Sequence, residues 1–376
     1  MDDLEVSFLC TDCQTPEEVA GRLADFVKQA TQTIDIAIYS FHVCPEARDT
    51  IAAALKERAD AGVAVRIAYD AGSQQSEMGQ PGFDVCDPNT ANFVTSLGVP
   101  SKPIEGYRSL MHDKYVILDH ALPSAKIWTG STNFTDDSWS LQENNIVTMR
   151  SQAIAALYEN DFNELWVDGN IATSGVNDSG EATLHYNGDN ATVLVNFAPG
   201  EGEWIDESIA GYVDRTTQRM TIAAVVITSG RIIEAIQRLM QRNVPIEGVY
   251  DWSQMESVKY QWSQVPDNNW KIGAFEEIVQ YGHLVGKNST PYTPTSRHDY
   301  MHNKVMVLDD ITITGSYNFS RHAQQNAENV LMIQSDALAA TYRDYIGGLA
   351  KKFSAQPPLP EPVAQKAATT PPAPNR

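Results

Sequence analysis

His112 and Lys114 stand two residues apart, and the same pair recurs as His302 and Lys304. Each pair runs on to an aspartate, Asp119 or Asp309, and then to a Gly-Ser-x-Asn tetrad, Gly130-Ser131-Thr132-Asn133 or Gly315-Ser316-Tyr317-Asn318. Ten residues past each Asn comes Glu-Asn, at Glu143-Asn144 and Glu328-Asn329. The His, Lys and Asp members lie 190 residues apart, and the Gly, Asn and Glu members 185 apart. A five-residue length change near His120 to Ala125 reconciles the two series, and a surface loop absorbs that readily.

These residue types suit phosphorus chemistry. Lysine ammonium, amide and hydroxyl groups converge well on phosphate oxygens and neutralise the charge that builds in the transition state. A neutral imidazole can attack phosphorus to give a phosphohistidine, while a second, protonated imidazole gives its proton to the leaving oxygen. Each imidazole needs a carboxylate that fixes its tautomer, and the repeated acids Glu143 and Glu328 are available for that work. With two lysines supplying positive charge, the scheme needs no metal and no cofactor.

The elements around the motifs repeat as well. Val6–Leu9 reads as a strand, Thr15–Thr31 as an amphipathic helix, and Ile34–Phe41 as a buried strand. A helix opened by Pro45 runs to Ala61, Gly62 caps it, and Val63–Asp70 is the next strand. The second half offers strands over Val193–Phe197, Met220–Ile227 and Val244–Tyr250, with helices over Trp204–Thr217 and Arg231–Arg242. Its Asp251 is the partner of Asp70. Both His-x-Lys segments read as strands on which His and Lys share a face. A strand and a closing helix follow each Glu-Asn, over Ala153–Trp166 and Ala337–Phe353, aligned on Tyr158 and Tyr342. Alternating strands and helices indicate an α/β fold of two similar sandwich domains packed with pseudo-twofold symmetry. The boundaries expected are 1–168 for the first domain, 169–190 for a Gly, Asn and Ser-rich linker, and 191–355 for the second domain. Residues 356–376, with seven prolines, form a tail expected to be disordered.

Charge and composition narrow the partners. The chain has 376 residues, 27 basic against 48 acidic, for a net charge of −21. Long-range attraction to duplex DNA or an anionic membrane is therefore disfavoured, although a local basic groove is compatible with it. No apolar run approaches the ~20 residues that span a bilayer. The start Met1-Asp2-Asp3-Leu4-Glu5 lacks signal-peptide character, so a cytoplasmic protein is expected, or a secreted or periplasmic one if Met1 is not the native start. Cys10, Cys13, Cys44 and Cys86 read as free thiols or one disulfide; zinc held by Cys10, Cys13, His42 and Cys44 is the alternative. Arg108, Arg297 and Arg321 flank the motifs as phosphate ligands or solubilising charges. Trp252, Tyr260, Trp262 and Trp270 lie in a stretch read as loop-rich, either walling the pocket or plugging the seam between halves.

The duplicated His-x-Lys-x-x-x-x-Asp and Gly-Ser-x-Asn motifs resemble the phospholipase D superfamily over residues 5 to 355. Tyr39-Ser40-Phe41, absent from the second half, where Ile227-Thr228-Ser229 stands, resembles the branch with bacterial endonucleases and cardiolipin hydrolases. The resemblance implies one active site between the halves and metal-independent phosphodiesterase activity. By motif position it implies His112 and His302 as nucleophile and general acid, with Lys114 and Lys304 binding phosphate. Asn133 and Asn318 assist, Ser131 and Ser316 contact substrate, and Glu143 and Glu328 orient the histidines. Asp119 and Asp309 are structural in this family. The expected substrate is a phospholipid phosphodiester, hydrolysed or transferred to an alcohol, with nucleic acid as the alternative and a non-catalytic phosphate-binding module as the third. A duplicated site in one chain makes a monomer the expectation.

Overall fold

Residues 2–72, 90–176, 178–293 and 296–355 are described by a computed structural model. Cys86 and the tail 356–376 lie outside the described residues. The first half runs β1 (Asp3–Leu9), α1 (Pro16–Val27), β2 (Thr33–Ile38), β3 (Phe41–His42), α2 (Pro45–Asp60) and β4 (Ala64–Asp70). It continues with α3 (Thr90–Ser96), β5 (Ser101–Ile104), β6 (Lys114–Leu118), β7 (Lys126–Gly130), β8 (Phe134–Thr135), α4 (Asp136–Ser140), β9 (Asn144–Arg150) and α5 (Gln152–Asp168). A hairpin follows, β10 (Gly180–Tyr186) and β11 (Asp189–Ala198). The second half then adds α6 (Gly202–Arg215), β12 (Met220–Ala224), α7 (Gly230–Gln241), β13 (Ile246–Asp251), α8 (Trp252–Ser263), α9 (Trp270–Tyr281) and β14 (Val285–Lys287). It closes with β15 (Lys304–Leu308), β16 (Ile311–Gly315), β17 (Glu328–Gln334) and α10 (Asp336–Ser354).

All but β3 and β8 join one 15-stranded sheet. From the centre outward the first half is ordered β1-β9-β7-β6-β2-β4-β5 and the second β11-β17-β16-β15-β12-β13-β14, with β10 between β1 and β11. The two series match strand for strand, so the α/β fold and its pseudo-twofold repeat are as expected. The segment read as a linker holds a strand of this sheet: β10 pairs antiparallel with β11 from Gly180↔Val195 to Tyr186↔Asp189. Asn187 (φ 51°) and Gly188 (φ 90°) make the turn, an Asn-Gly pair whose backbone twist suits a two-residue hairpin. In the stretch read as loop-rich, α8 and α9 form instead. Trp262 is buried in the second-half core, whereas Tyr260 and Trp270 are exposed.

The closing helices show why neither half stands as a separate body. Ser151 caps α5 by accepting the N–H of Ile154, and Ser335 caps α10 by accepting that of Leu338. Tyr158, Phe162 and Leu165 of α5 and Tyr342, Ile346 and Leu349 of α10 then lie in one apolar cluster with β6, β11 and β15. That cluster crosses the seam, so burial of apolar area fixes the halves to each other as well as internally. No described helix is long and apolar enough to cross a membrane.

The glycine of each tetrad has a backbone reason. Gly130 has φ +140° and Gly315 φ +136°, and a Cβ there would lie 2.2 Å from Asn145 O and 2.3 Å from Asn329 O. Gly315→Ala is expected to cost about 3 kcal/mol through this clash and the forbidden φ. Urea unfolding measures it, and a loss under about 0.5 kcal/mol, the range of an ordinary surface change, contradicts it.

Candidate active site

The backbone before each motif histidine is held by a buried acid from a neighbouring strand. Asp70, ending β4, accepts the N–H of Met111 at 2.8 Å, and Asp251, ending β13, accepts that of Met301 at 2.9 Å. Burial pushes the Asp251 carboxyl up to about 6, against hydrogen bonds from Ser289, Gln254 and Met301 that favour its charged form. At the far end of each motif, Asp119 accepts the N–H groups of Thr31, Gln32 and Thr33, and Asp309 those of Thr217, Gln218 and Arg219. Each clamps the turn ahead of the neighbouring strand, away from the His-Lys pair.

The loop ahead of His112 crosses into the second half. His112 N–H donates to Ala327 O at 2.8 Å, and Ala327 N–H donates to Leu110 O at 2.9 Å. This sets His112 Nδ1 2.7 Å from Glu328 Oε2. The backbone of Ser316 hydrogen-bonds the same ring. His302 is served from the first half in turn: its Nδ1 lies 3.0 Å from Asn144 Oδ1, and the backbone of Ser131 hydrogen-bonds its ring. Each imidazole is thus carried by one half and oriented by the other.

Glu143 does not orient His302. Its Oε1 accepts from Thr11 Oγ1 at 2.9 Å and pairs with Lys352 at 3.2 Å and Lys287 at 3.4 Å. The correct equivalence is shifted by one residue: Glu143 N–H donates to Tyr300 O as Ala327 N–H donates to Leu110 O. Glu143 therefore stands where Ala327 does, Asn144 where Glu328 does, and Asn145 where Asn329 does. The first half has one extra residue after its tetrad, in the stretch containing α4. The sequence carried the signal, since Tyr158 and Tyr342, and Ser151 and Ser335, are 184 apart rather than 185.

Asn144 is the functional residue that motif spacing missed. Its Nδ2 donates to Ser138 O at 3.1 Å and Gln142 Oε1 at 3.2 Å, while Ser131 Oγ donates to its Oδ1 at 2.7 Å. These partners leave only the amide oxygen for His302, so the imidazole donates its Nδ1–H there. Ser131 and Ser316 are fully buried and act through the backbone and these acceptors. Asn145 and Asn329 complete the seam. Asn145 Oδ1 accepts from Thr314 at 3.0 Å and Tyr342 at 3.2 Å, and Asn329 Nδ2 donates to Thr129 at 2.9 Å and Tyr158 at 3.0 Å.

Each histidine is accompanied by its lysine, Lys114 or Lys304, each 1 % exposed. Lys114 Nζ donates to His112 O at 2.5 Å and Lys304 Nζ to His302 O at 2.7 Å. Burial lowers Lys114 to about 8, although Glu328, Asp113 and Asp70 support its charge. Burial and the neighbouring Lys114 ammonium hold Lys304 well below the usual lysine range. Both histidines are held well below theirs, first by burial and then by the two ammonium groups. Burial pushes the Glu328 carboxyl up to about 8, and the lysines pull it back. Such a cluster favours any anion that enters it. Asn133 and Asn318 keep buried amide oxygens without a hydrogen-bond partner among the described residues. The Tyr39 ring lies 5.0 Å from the His112 ring and 5.3 Å from Lys114 Nζ, walling the first half-site.

Other residues singled out lie elsewhere. Arg108 stacks over Tyr107 and Arg297 stands 3.9 Å from Asp299. Cys10 and Cys13 form a disulfide, which removes both from the zinc set considered with His42 and Cys44.

With Lys114 lowered to about 8 and Glu328 raised to about 8, the resting site loses a positive charge and gains a negative one as pH rises through that value. Sulfate, which keeps its charge throughout, should bind more weakly as pH rises from 7 to 9, as calorimetry would show. Pairing with the anion will move the midpoint upward; an affinity flat across this range contradicts the assignment.

The model of one family, described as cardiolipin synthase, PLD-like domain, matches residues 23–166 and 209–349. No curated protein matches the chain significantly. Among solved structures, a phosphatidylserine synthase from Haemophilus influenzae Rd KW20 superposes with a TM-score of 0.63 at 11 % identity, over 93 % of this chain and 86 % of its own. A polyphosphate kinase from Porphyromonas gingivalis gives 0.55 at 11 % identity, over 93 % of this chain and 47 % of its own. Nuc, a phospholipase D family member from Salmonella typhimurium, is 22 % identical over 44 % of this chain and 95 % of its own, with a TM-score of 0.34. With both copies of its motif covered by the family model, this chain belongs to the phospholipase D-like superfamily.

Proposed function

We propose that the protein is a metal-independent phosphodiesterase acting on a phospholipid, with His112 as nucleophile and His302 as general acid. The carrying observation is the unequal support of the two rings, a carboxylate on His112 and a neutral amide on His302. A phosphohistidine formed at Nε2 of His112 carries positive charge on a ring whose Nδ1 faces Glu328; that charge favours the ionised form of Glu328, which in turn stabilises it. His302 in its protonated form receives no such charge from Asn144, so it is the stronger acid and the better proton donor.

In the first step the His112 Nε2 lone pair forms a bond to phosphorus. The bond from phosphorus to the leaving alcohol oxygen breaks, and that oxygen takes the proton of His302. In the second step neutral His302 takes a proton from water, whose oxygen attacks phosphorus, and the P–N bond breaks to release a phosphomonoester. An alcohol in place of water gives head-group transfer by the same route. Lys114, Lys304, Asn133 and Asn318 hold the non-bridging oxygens. Arrival of the phosphate anion raises the proton affinity of both rings, which supplies His302 with the proton it must donate.

Two features support a lipid over a polyanion. The net charge of −21 repels nucleic acid at long range but not a zwitterionic lipid surface, and the site is recessed, with His112 7 % exposed. The described relatives include a family named for cardiolipin synthase and a structure named phosphatidylserine synthase.

His112→Ala and His302→Ala should each lower kcat/KM by at least about a thousandfold. On a phosphodiester with an activated leaving group, His302→Ala should accumulate a phosphorylated peptide containing His112, seen by mass spectrometry. An adduct on His302 reverses the assignment, and near-normal turnover by either variant refutes the mechanism. Phosphatidylcholine, cardiolipin and single-stranded DNA, each offered with EDTA, decide the substrate. Cleavage of DNA without release of phosphatidic acid overturns the lipid reading.

A further inference from the structure

On the opposite side of β6 from the catalytic lysine, and outside the machinery described above, three carboxylates meet. Asp161 and Glu164, one turn apart on α5, and Asp178, just ahead of β10, bring ligand-capable oxygens within 4.8 Å of one another. Asp161 is fully buried and Asp178 is 3 % exposed. Among the described residues, no lysine, arginine or histidine lies within ion-pair distance of any of the three. Asp161 Oδ2 accepts from Tyr115 OH at 2.6 Å, and Glu164 Oε2 from Val176 N–H at 3.3 Å. Asp178 shares a side-chain hydrogen bond with Glu164, while Asp161 Oδ1 and Asp178 Oδ2 are buried with no hydrogen-bond partner among the described residues. Close by, Asp113 is fully buried with both oxygens unpartnered, and its charge acts on Asp161. Its second-half counterpart is a neutral Asn303 hydrogen-bonded to Asn145 and Tyr345.

Contrast with the other buried acids is instructive. Asp35 and Glu159 share Arg66, and Glu143 has Lys287 and Lys352. Among the described residues, this is the one such carboxylate cluster with nothing positive beside it, and ionising buried carboxyls without a compensating charge is among the costliest arrangements available to a fold. A hard divalent cation supplies the missing charge and takes the unpartnered oxygens as ligands.

We propose that Asp161, Glu164 and Asp178 form a calcium site that fastens the segment after α5 to that helix. An all-carboxylate set of mixed depth suits calcium, which accepts irregular oxygen geometry and fills remaining positions with backbone oxygens or water. Magnesium demands near-octahedral ligands that three clustered side chains do not prearrange. The site is structural and independent of which phosphodiester the enzyme cleaves. It ties down the stretch leading into β10, the strand that joins the two halves of the sheet.

The test uses the full chain, stripped with EDTA and dialysed. Calcium chloride should bind with a stoichiometry of one by calorimetry and raise the unfolding temperature by about 3 °C or more at saturation. Magnesium at the same concentration should do markedly less. Glu164→Gln, at a half-buried position that tolerates the change, should weaken calcium binding about tenfold or more, and Asp178→Asn likewise. Far-UV circular dichroism establishes that each variant is folded before it is titrated. The proposal fails if the stripped wild type neither binds calcium nor gains stability. It fails equally if Glu164→Gln keeps the full calcium response, which would place the ion elsewhere. Variants more stable than a wild type indifferent to calcium would show that the carboxyls share protons instead.

Discussion

Four basic groups buried at one seam are the constraint on which this molecule is organised. Two ammonium groups and two imidazoles that never left water would cost nothing, and would also do little to a phosphate. Brought out of water they repel one another, so each needs a fixed acceptor. Lys114 and Lys304 find one in the carbonyl of their own histidine, two residues back along the strand. The histidines find theirs only across the seam, in Glu328 and Asn144. The site therefore forms when the halves meet, and the continuous sheet and shared apolar cluster are what hold them in contact.

Rigidity follows from the same arrangement. Lysines rise from the central strands β6 and β15, whose residues are buried throughout, and the acceptors sit at the start of β9 and β17. Behind them the buried Asn145 and Asn329 each reach the closing helix of the opposite half. A misplaced seam would leave these amides unsatisfied, so polar pairing sets the register that apolar packing alone leaves loose. The buried pair Glu143 and Lys287, joined by the exposed Lys352, adds an ion cluster at the rim of the same seam.

The histidines, lysines and tetrads were legible in the sequence because their spacing repeats and their chemistry is specific. Strand parity placed each His-Lys pair on one face, and the alternation of elements gave the α/β class. Glu143 was misread because identity of residue type outweighed register: a Glu-Asn pair 185 residues before Glu328-Asn329 matches by letters, while the fold shifts by one residue there. The closing helices already carried the 184 spacing, so the shift was visible where caps and core residues, not catalytic letters, were aligned. Asn187-Gly188 likewise marked a hairpin inside a stretch whose composition suggested only linker. Helices α8 and α9 were hidden by polar residues and aromatics without a sustained apolar period. The carboxylates around Asp161 could not be found by spacing, since Asp178 reaches α5 only through tertiary folding.

The exchange of acceptors across the seam has a bearing on how such a chain can be descended. A symmetric pair built from two copies of the second half would set a carboxylate behind both histidines, and one built from two copies of the first half would set an amide behind both. Either ancestor treats its two rings alike, so neither ring differs from the other in its acceptor. Fusion into one polypeptide makes the copies separately heritable. A single inserted residue after Asn133 then suffices to draw Asn144 into the place of an acid and give the two rings unlike surroundings.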